Sequence, residues 1–217
     1  MASPRVAPLL FPAGPLPWLL PAVVTGGAVP LVAILAGLFR GTLGANPVAE
    51  ALNELGLLAL VFLVASLACT PLKTLTGWTW PIRLRKTLGL YAFFYAALHL
   101  LTYAGVDQLL DLRAIGKDVA ERPFILVGLT AFVLLVPLAV TSTARMLKRL
   151  GFARWKRLHR LAYVAGVLGV AHFFLRVKKD VTEPAVYAGL LGALFAVRLL
   201  SLARERVGRA GQARRGV

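Results

Sequence analysis

The chain has 217 residues, 59% of them hydrophobic, with a mean hydropathy of +0.76 and a formal net charge of +16. Long apolar runs at that hydropathy exclude a soluble domain and point to an integral membrane protein. The single cysteine, Cys69, excludes an internal disulfide framework, a CxxCH covalent haem site and a CxxC redox pair, and basic residues gathered in short segments between apolar runs read as membrane topology rather than nucleic-acid binding.

Six apolar segments follow one another at 17–39, 52–68, 88–106, 124–141, 158–175 and 185–203. A hydrocarbon core of ~30 Å takes roughly 17–25 helical residues, so each predicts one span. The expected fold is therefore all-α: a six-helix membrane bundle over 17–203, a cytoplasmic N-terminus over 1–16 and a basic cytoplasmic tail over 204–217. The first segment carries Pro17, Pro21 and Pro30 and lacks a small-x-small exit site, so it reads as a retained, kinked helix rather than a cleaved signal peptide. The fifth is extended through Arg160, whose long side chain can snorkel to the interface, and Arg198 in the sixth is read the same way. The tail, RERVGRAGQARRGV, reads as a disordered basic end beside anionic lipid.

Loop charges set the orientation. The second loop holds Lys73, Arg83, Arg85 and Lys86 without an acid; the fourth holds Arg145, Lys148, Arg149, Arg154, Lys156, Arg157 and Arg160, again without one. The first, third and fifth loops mix both signs. Basic loops and tail face the cytoplasm under the positive-inside rule, with both termini inside. The same basic fourth loop can also dock an acidic electron donor, although topology alone accounts for its charge.

All three histidines lie in or beside apolar runs: His99 in KTLGLYAFFYAALHLLTYAGV, His159 and His172 in RLHRLAYVAGVLGVAHFF. Counting 1.5 Å per residue from the cytoplasmic ends puts His99 about 18 Å up the third span and His172 about 21 Å up the fifth, with His159 about 20 Å below His172. Two imidazoles on different spans at one depth suit the axial ligation of a haem, which a helix pair can clamp. Phe93, Phe94, Phe173 and Phe174, with Gly166, Gly169, Ala96 and Ala171, are candidate walls for the macrocycle. Tyr95, Thr102 and Tyr103 are candidates to orient the second ring nitrogen of His99, and Arg176, one turn above His172, to meet a propionate. The plain alternatives are a histidine bonded to a neighbouring helix, aromatic packing, and His159 as one more charge on a positive face. Away from their ends the spans carry essentially no Asp or Glu, which argues against a proton relay or an ion-coupled transporter. There is no GxGxxG, P-loop or carboxylate pair, so if the chain moves electrons a separate molecule supplies them.

The stretches LGANPVAE, ACTPLK, RKTLGLYAFFYAALHLLTY, ERPFILVGL, AVTSTARMLKRLG, WKRLHRLAYVAGVLGVAHFF and EPAVYAGLL cover roughly Gly44 to Leu191. In order and spacing they resemble the ferric-reductase-like transmembrane superfamily, and closely its MsrQ (formerly YedZ) family of haem-binding membrane subunits. The resemblance implies a b-type haem on His99 and His172 and a place in the bacterial inner membrane. It implies electrons from the quinone pool or a cytoplasmic flavin reductase, passed to a periplasmic molybdopterin-containing methionine sulfoxide reductase subunit that does the catalysis. An associated FMN is also implied. The wider superfamily carries two histidines on each of two helices; here Arg85 stands 14 residues before His99, about 40° off its face, where the other ligand is expected. A second haem would have His159 and no histidine partner, and an arginine stays protonated, suited to a propionate or a quinol oxygen instead. His159 and His172 lie about 140° apart on an ideal helix, so a bend near Gly166 or Gly169 is expected. Rival readings are a ferric or quinone reductase lacking that partner, and a non-redox scaffold or transporter.

Overall fold

The computed structural model describes the backbone of residues 17–215 and the side chains of residues 17–204; the expected N-terminal segment 1–16 lies outside the described residues. Among the described residues the chain is helical, without strands. The helices are α1 (Leu19–Arg40), α2 (Pro47–Thr76), α3 (Trp80–Leu101), α4 (Leu112–Glu121), α5 (Pro123–Val140), α6 (Ala144–Leu150), α7 (Phe152–Leu158), α8 (Leu161–Arg176) and α9 (Thr182–Arg215). A π-helical turn, Thr102–Asp107, extends α3. Six stretches are long and apolar enough to cross a membrane, as expected from the sequence: α1, α2, α3 with its π turn, α5, α7 with α8, and α9 to Arg204.

Local chemistry sets the boundaries. The Asn46 side chain accepts from the Ala49 amide at 3.1 Å and Pro47 opens α2, where a missing N–H costs nothing. Gly77 ends α2 with φ 74°, a left-handed cap that a Cβ disfavours. α2 is 30 residues, about 45 Å at 1.5 Å per residue, so it overshoots the hydrocarbon core that the apolar run 52–68 marks. Three helices, α4, α6 and α7, arise where only loops were expected. Asp111 caps α4 by accepting from Arg113 and Ala114, and Thr143 caps α6 by accepting from Met146. The tail also departs from expectation, since α9 runs unbroken to Arg215 instead of ending near 203.

Packing is densest between α2 and α3 and between α5 and α8. A central cluster of Leu60, Leu63, Val64, Ala92, Leu135 and Ala165 ties these pairs together at mid-bundle. The lipid-facing surface stays apolar: Val29, Val32 and Phe39 of α1 are all more than half exposed, as suits a bilayer solvent. α1 joins the bundle through a close approach to α3. Tyr95, fully buried, donates its hydroxyl to the Gly27 carbonyl at 2.6 Å, and Tyr91 donates to Val24. A Cβ at Gly27 would fall 2.5 Å from the Tyr91 ring, which Phe62 stacks at 5.1 Å. Gly27→Leu is therefore expected to lower the detergent-solubilised melting midpoint, by about 1–3 kcal/mol of overpacking, with the histidine-bearing spans intact. An unchanged midpoint would count against this packing.

The two ends of the bundle differ in charge as the loops predicted. The second and fourth loops meet at one end, where Arg85, Lys86 and the start of α6 line one cavity; Asn53, Asp107, Arg122, Arg176 and Glu183 gather at the other.

Candidate functional site

Two cavities are stacked along the bundle, and Leu63 and Leu135 line both. The outer one, at the mixed-charge end, has a volume of about 570 Å³, within the ~300–1,000 Å³ usual for small-molecule and cofactor sites. Its walls are mostly apolar, from α2, α3, α5 and α8, and both His99 and His172 line it. Their ring centroids are 6.1 Å apart and the ring planes cross at 83°. The depths counted from the sequence thus bring α3 and α8 together at one level.

Each ring is held by a backbone carbonyl. His99 Nδ1 lies 2.9 Å from the Leu52 oxygen, and His172 Nδ1 lies 2.6 Å from the Phe124 oxygen. A carbonyl oxygen only accepts, so both Nδ1 atoms carry the proton and donate, which leaves Nε2 as the lone-pair nitrogen of the neutral ring. The orienting groups anticipated from the sequence do other work. Tyr95 bonds Gly27, and Tyr103 donates to Asp118 at 3.1 Å. Asp118 in turn pairs with Arg122 at 3.2 Å, tying the π turn, α4 and the start of α5 into one rim.

Glycines make room for the rings. A Cβ at Gly128 would sit 2.6 Å from His172 Nδ1, and one at Gly56 would sit 3.1 Å from His99 Nδ1. Neither glycine was singled out in the sequence. A glycine 43 residues from its histidine in one case and 44 in the other leaves no pattern that periodicity can detect. Of the candidate walls, Phe173, Ala96 and Gly169 line the outer cavity. Phe93 instead stacks on Phe132 at 5.6 Å, Phe94 is 40% exposed, and Gly166 packs against Leu67 and Leu191. Arg176 is at the mouth, donating to Asn53 and lying 5.9 Å over the Phe173 ring.

His159 belongs to the inner cavity, about 460 Å³, together with Arg85. The expected bend in the fifth span falls at His159 itself, not at Gly166 or Gly169. Helix α7 ends at Leu158, and i→i−3 bonds from Arg160, Ala162 and Tyr163 tighten the turn before α8 proceeds. Arg160 is exposed outside both helices, and Arg198 lies 4.9 Å over the Tyr163 ring near the start of α8.

The profile of the family described as "Ferric reductase like transmembrane component" matches residues 53–170. A relative from Rhodospirillum rubrum is 52% identical over 192 residues, covering 88% of this chain and 91% of its own length. One from Deinococcus radiodurans is 49% identical, covering 88% and 94%. One from Ralstonia nicotianae is 49% identical, covering 72% and 73%. All three bear the name protein-methionine-sulfoxide reductase heme-binding subunit MsrQ. The chain belongs to the MsrQ family. The ferric-reductase-like match takes in His99, His159 and Arg85 and stops two residues short of His172, so the MsrQ relatives, not the broader family, span the whole outer site.

Proposed function

We propose that this MsrQ-family chain is a membrane cytochrome b, an electron-transfer subunit without a catalytic site of its own. It takes electrons from the quinone pool, or from a cytoplasmic flavin reductase, and delivers them across the bacterial inner membrane to a periplasmic molybdopterin-containing methionine sulfoxide reductase subunit. The basic end of the bundle faces the cytoplasm and the outer cavity opens toward the periplasm. The observation that carries the reading is the pair of imidazoles from α3 and α8, 6.1 Å apart in one apolar cavity, each with Nδ1 bonded to a carbonyl.

The residues fit a haem. With metal–nitrogen bonds of about 2 Å, as imidazole makes to zinc, two axial rings on one metal hold their centroids roughly 6 Å apart. His99 and His172 would be the ligands, through Nε2. A b-type haem bound there supplies one-electron chemistry at iron. The Leu52 and Phe124 carbonyls fix the tautomer and make each Nε2 a better donor to the metal. Arg176 at the mouth suits a propionate. The apolar walls exclude water and lower the local dielectric. None of these roles needs an acid–base residue. FMN, expected from the family resemblance, is assigned no residues.

The purified protein is expected to show a low-spin b-type absorption spectrum with about one haem per chain in the outer site. Once reduced, it should reoxidise on addition of a molybdopterin methionine sulfoxide reductase together with methionine sulfoxide. A colourless preparation from haem-replete cells would reject the cytochrome; a haem that reacts only with ferric iron or quinone would reject the partner.

A further inference from the structure

The corner between α6 and α7, at the basic end of the bundle, carries six cations on its outer surface. Arg145, Lys148 and Arg149 stand on α6, and Arg154, Lys156 and Arg157 on α7; all six are exposed, and none lines either cavity. None has an ion-pair partner among the described residues, where the salt bridges join Lys117 to Glu121 and Arg122 to Asp118 at the opposite end. Segment 141–160 contains no Asp or Glu. The acids of the chain belong to the first, third and fifth loops and their flanking turns, apart from Glu205 in the tail.

Helix chemistry accounts for only part of this charge. Lys148, Arg149, Lys156 and Arg157 fall in the last turns of their helices, where a cation suits the exposed carbonyls. Arg145 and Arg154 fall in the first turns, where the same dipole disfavours them, and neither first turn holds an acid. Topology does not require the arrangement either, because the positive-inside rule counts charges in a loop and is indifferent to where they stand on a folded element. Here the fold sorts them. Met146, Leu147, Leu150, Trp155 and Leu158 turn inward and are half-buried, while the cations take the outer faces of both helices. Gly151 makes the corner with φ 75° and ψ 149°, a backbone region that glycine alone enters cheaply, so α6 and α7 join without a loop.

At the apex is Phe152, 66% exposed, with the Trp155 ring stacked at 6.5 Å and Lys156 Nζ 5.9 Å from its centroid. Residues 141–143 alone join α5 to α6, and α7 leads through His159 and Arg160 into α8, so the corner is held at the bilayer surface. An apolar ring set among unpaired cations at that level matches the boundary between acyl chains and phosphates. We infer that the α6–α7 corner is a docking surface for anionic phospholipid, with its cations on headgroup phosphates and Phe152 among the acyl chains. The contact pins the ends of α5 and α8, the pair between which His172 is held, to the leaflet.

The test titrates the full chain, purified in a neutral detergent, with dihexanoyl phosphatidylglycerol and with the zwitterionic phosphatidylcholine of the same chains. Bound lipid is counted by native mass spectrometry. Wild type should bind phosphatidylglycerol at least about tenfold more tightly. Arg149→Gln with Lys156→Gln should lose about twenty-fivefold, at about fivefold for each cation near a lipid surface. Arg149→Lys with Lys156→Arg keeps both charges and should stay within about threefold of wild type, which separates charge from folding. Lys73→Gln with Arg83→Gln takes one lysine and one arginine from the second loop at the same end, and it should also stay within about threefold. Phe152→Ser should weaken both lipids by about tenfold, through lost acyl contact.

Equal affinity of wild type for the two lipids would overturn the inference. So would an equal loss in the second-loop pair, since the attraction would then be the diffuse field of the whole basic end. Undiminished lipid binding in Phe152→Ser would also overturn it, leaving a charged surface suited to an acidic soluble protein rather than to a bilayer.

Discussion

His172→Ala and His99→Ala are each expected to abolish the low-spin b-type spectrum of the purified protein. Removing either imidazole takes away one of the two nitrogens lining the outer cavity, and nothing nearby replaces it. Among the described residues no group of three or more His, Cys, Asp or Glu side chains is arranged to hold a metal ion, and the one cysteine, Cys69, is buried in α2 with its thiol bonded to the Ala65 carbonyl. The third histidine is in the other cavity, with Leu63 and Leu135 between. A haem bound there would keep only one histidine to hold it, so it would be retained less tightly and would lose the low-spin signature. The loss should therefore appear both in band position and in haem content. His159→Ala, by contrast, should leave that spectrum in place and weaken reduction by quinol. A spectrum unchanged in His99→Ala or in His172→Ala would reject the ligand pair, whatever the activity of the variant.

The fold and the meeting of His99 and His172 in one cavity were legible because the constraints behind them are local or one-dimensional. Span length follows from bilayer thickness, orientation from loop charge, and depth from a fixed rise per residue, so His99 and His172 can be set level without any knowledge of packing. What supports them was not legible. The bonds from His99 to Leu52 and from His172 to Phe124 join residues 47 and 48 positions apart, through backbone atoms that every residue possesses. Tyr95 and Tyr103 looked suitable by helical spacing, but side-chain direction sends one to α1 and the other to α4. The bend was sought at glycines because glycine is the usual weak point. It falls at His159 instead, where Trp155 stacks on the ring and its backbone carbonyl accepts a hydrogen bond from Nδ1. Arg85, noted as a departure in the third span, lines the same cavity as His159, and its guanidinium donates to Thr70 at 3.4 Å.

Gly128→Ala is expected to reduce haem retention by roughly ten- to a hundredfold, the range usual for disturbing the partner of a metal-bound histidine. Helix propensity alone favours the opposite sign, since alanine in a helix interior is better than glycine by about 1 kcal/mol. The geometry of α5 and α8 decides otherwise. The added Cβ would lie 2.6 Å from His172 Nδ1 and 2.8 Å from Cε1, closer than real contacts allow, and a tight 3.2 Å from Cγ. The ring cannot simply retreat, because Nδ1 donates to the Phe124 carbonyl at 2.6 Å and Phe124 lies one turn before Gly128 on the same helix. Moving away from the methyl breaks that bond, frees the tautomer and turns Nε2 out of line. Gly56→Ala is the graded comparison: its Cβ would be 3.1 Å from His99 Nδ1 and 3.2 Å from Cε1, a shortfall of tenths of an ångström that a small ring tilt relieves. Gly189→Ala, with nothing within 4 Å of its Cβ, should show the propensity effect alone. The rate of haem transfer from each variant to excess apomyoglobin ranks them: Gly128→Ala fastest, Gly56→Ala intermediate, Gly189→Ala as wild type. Wild-type retention in a folded Gly128→Ala protein would mean that His172 is not held against α5 by this contact, and the tautomer argument for its Nε2 would go with it.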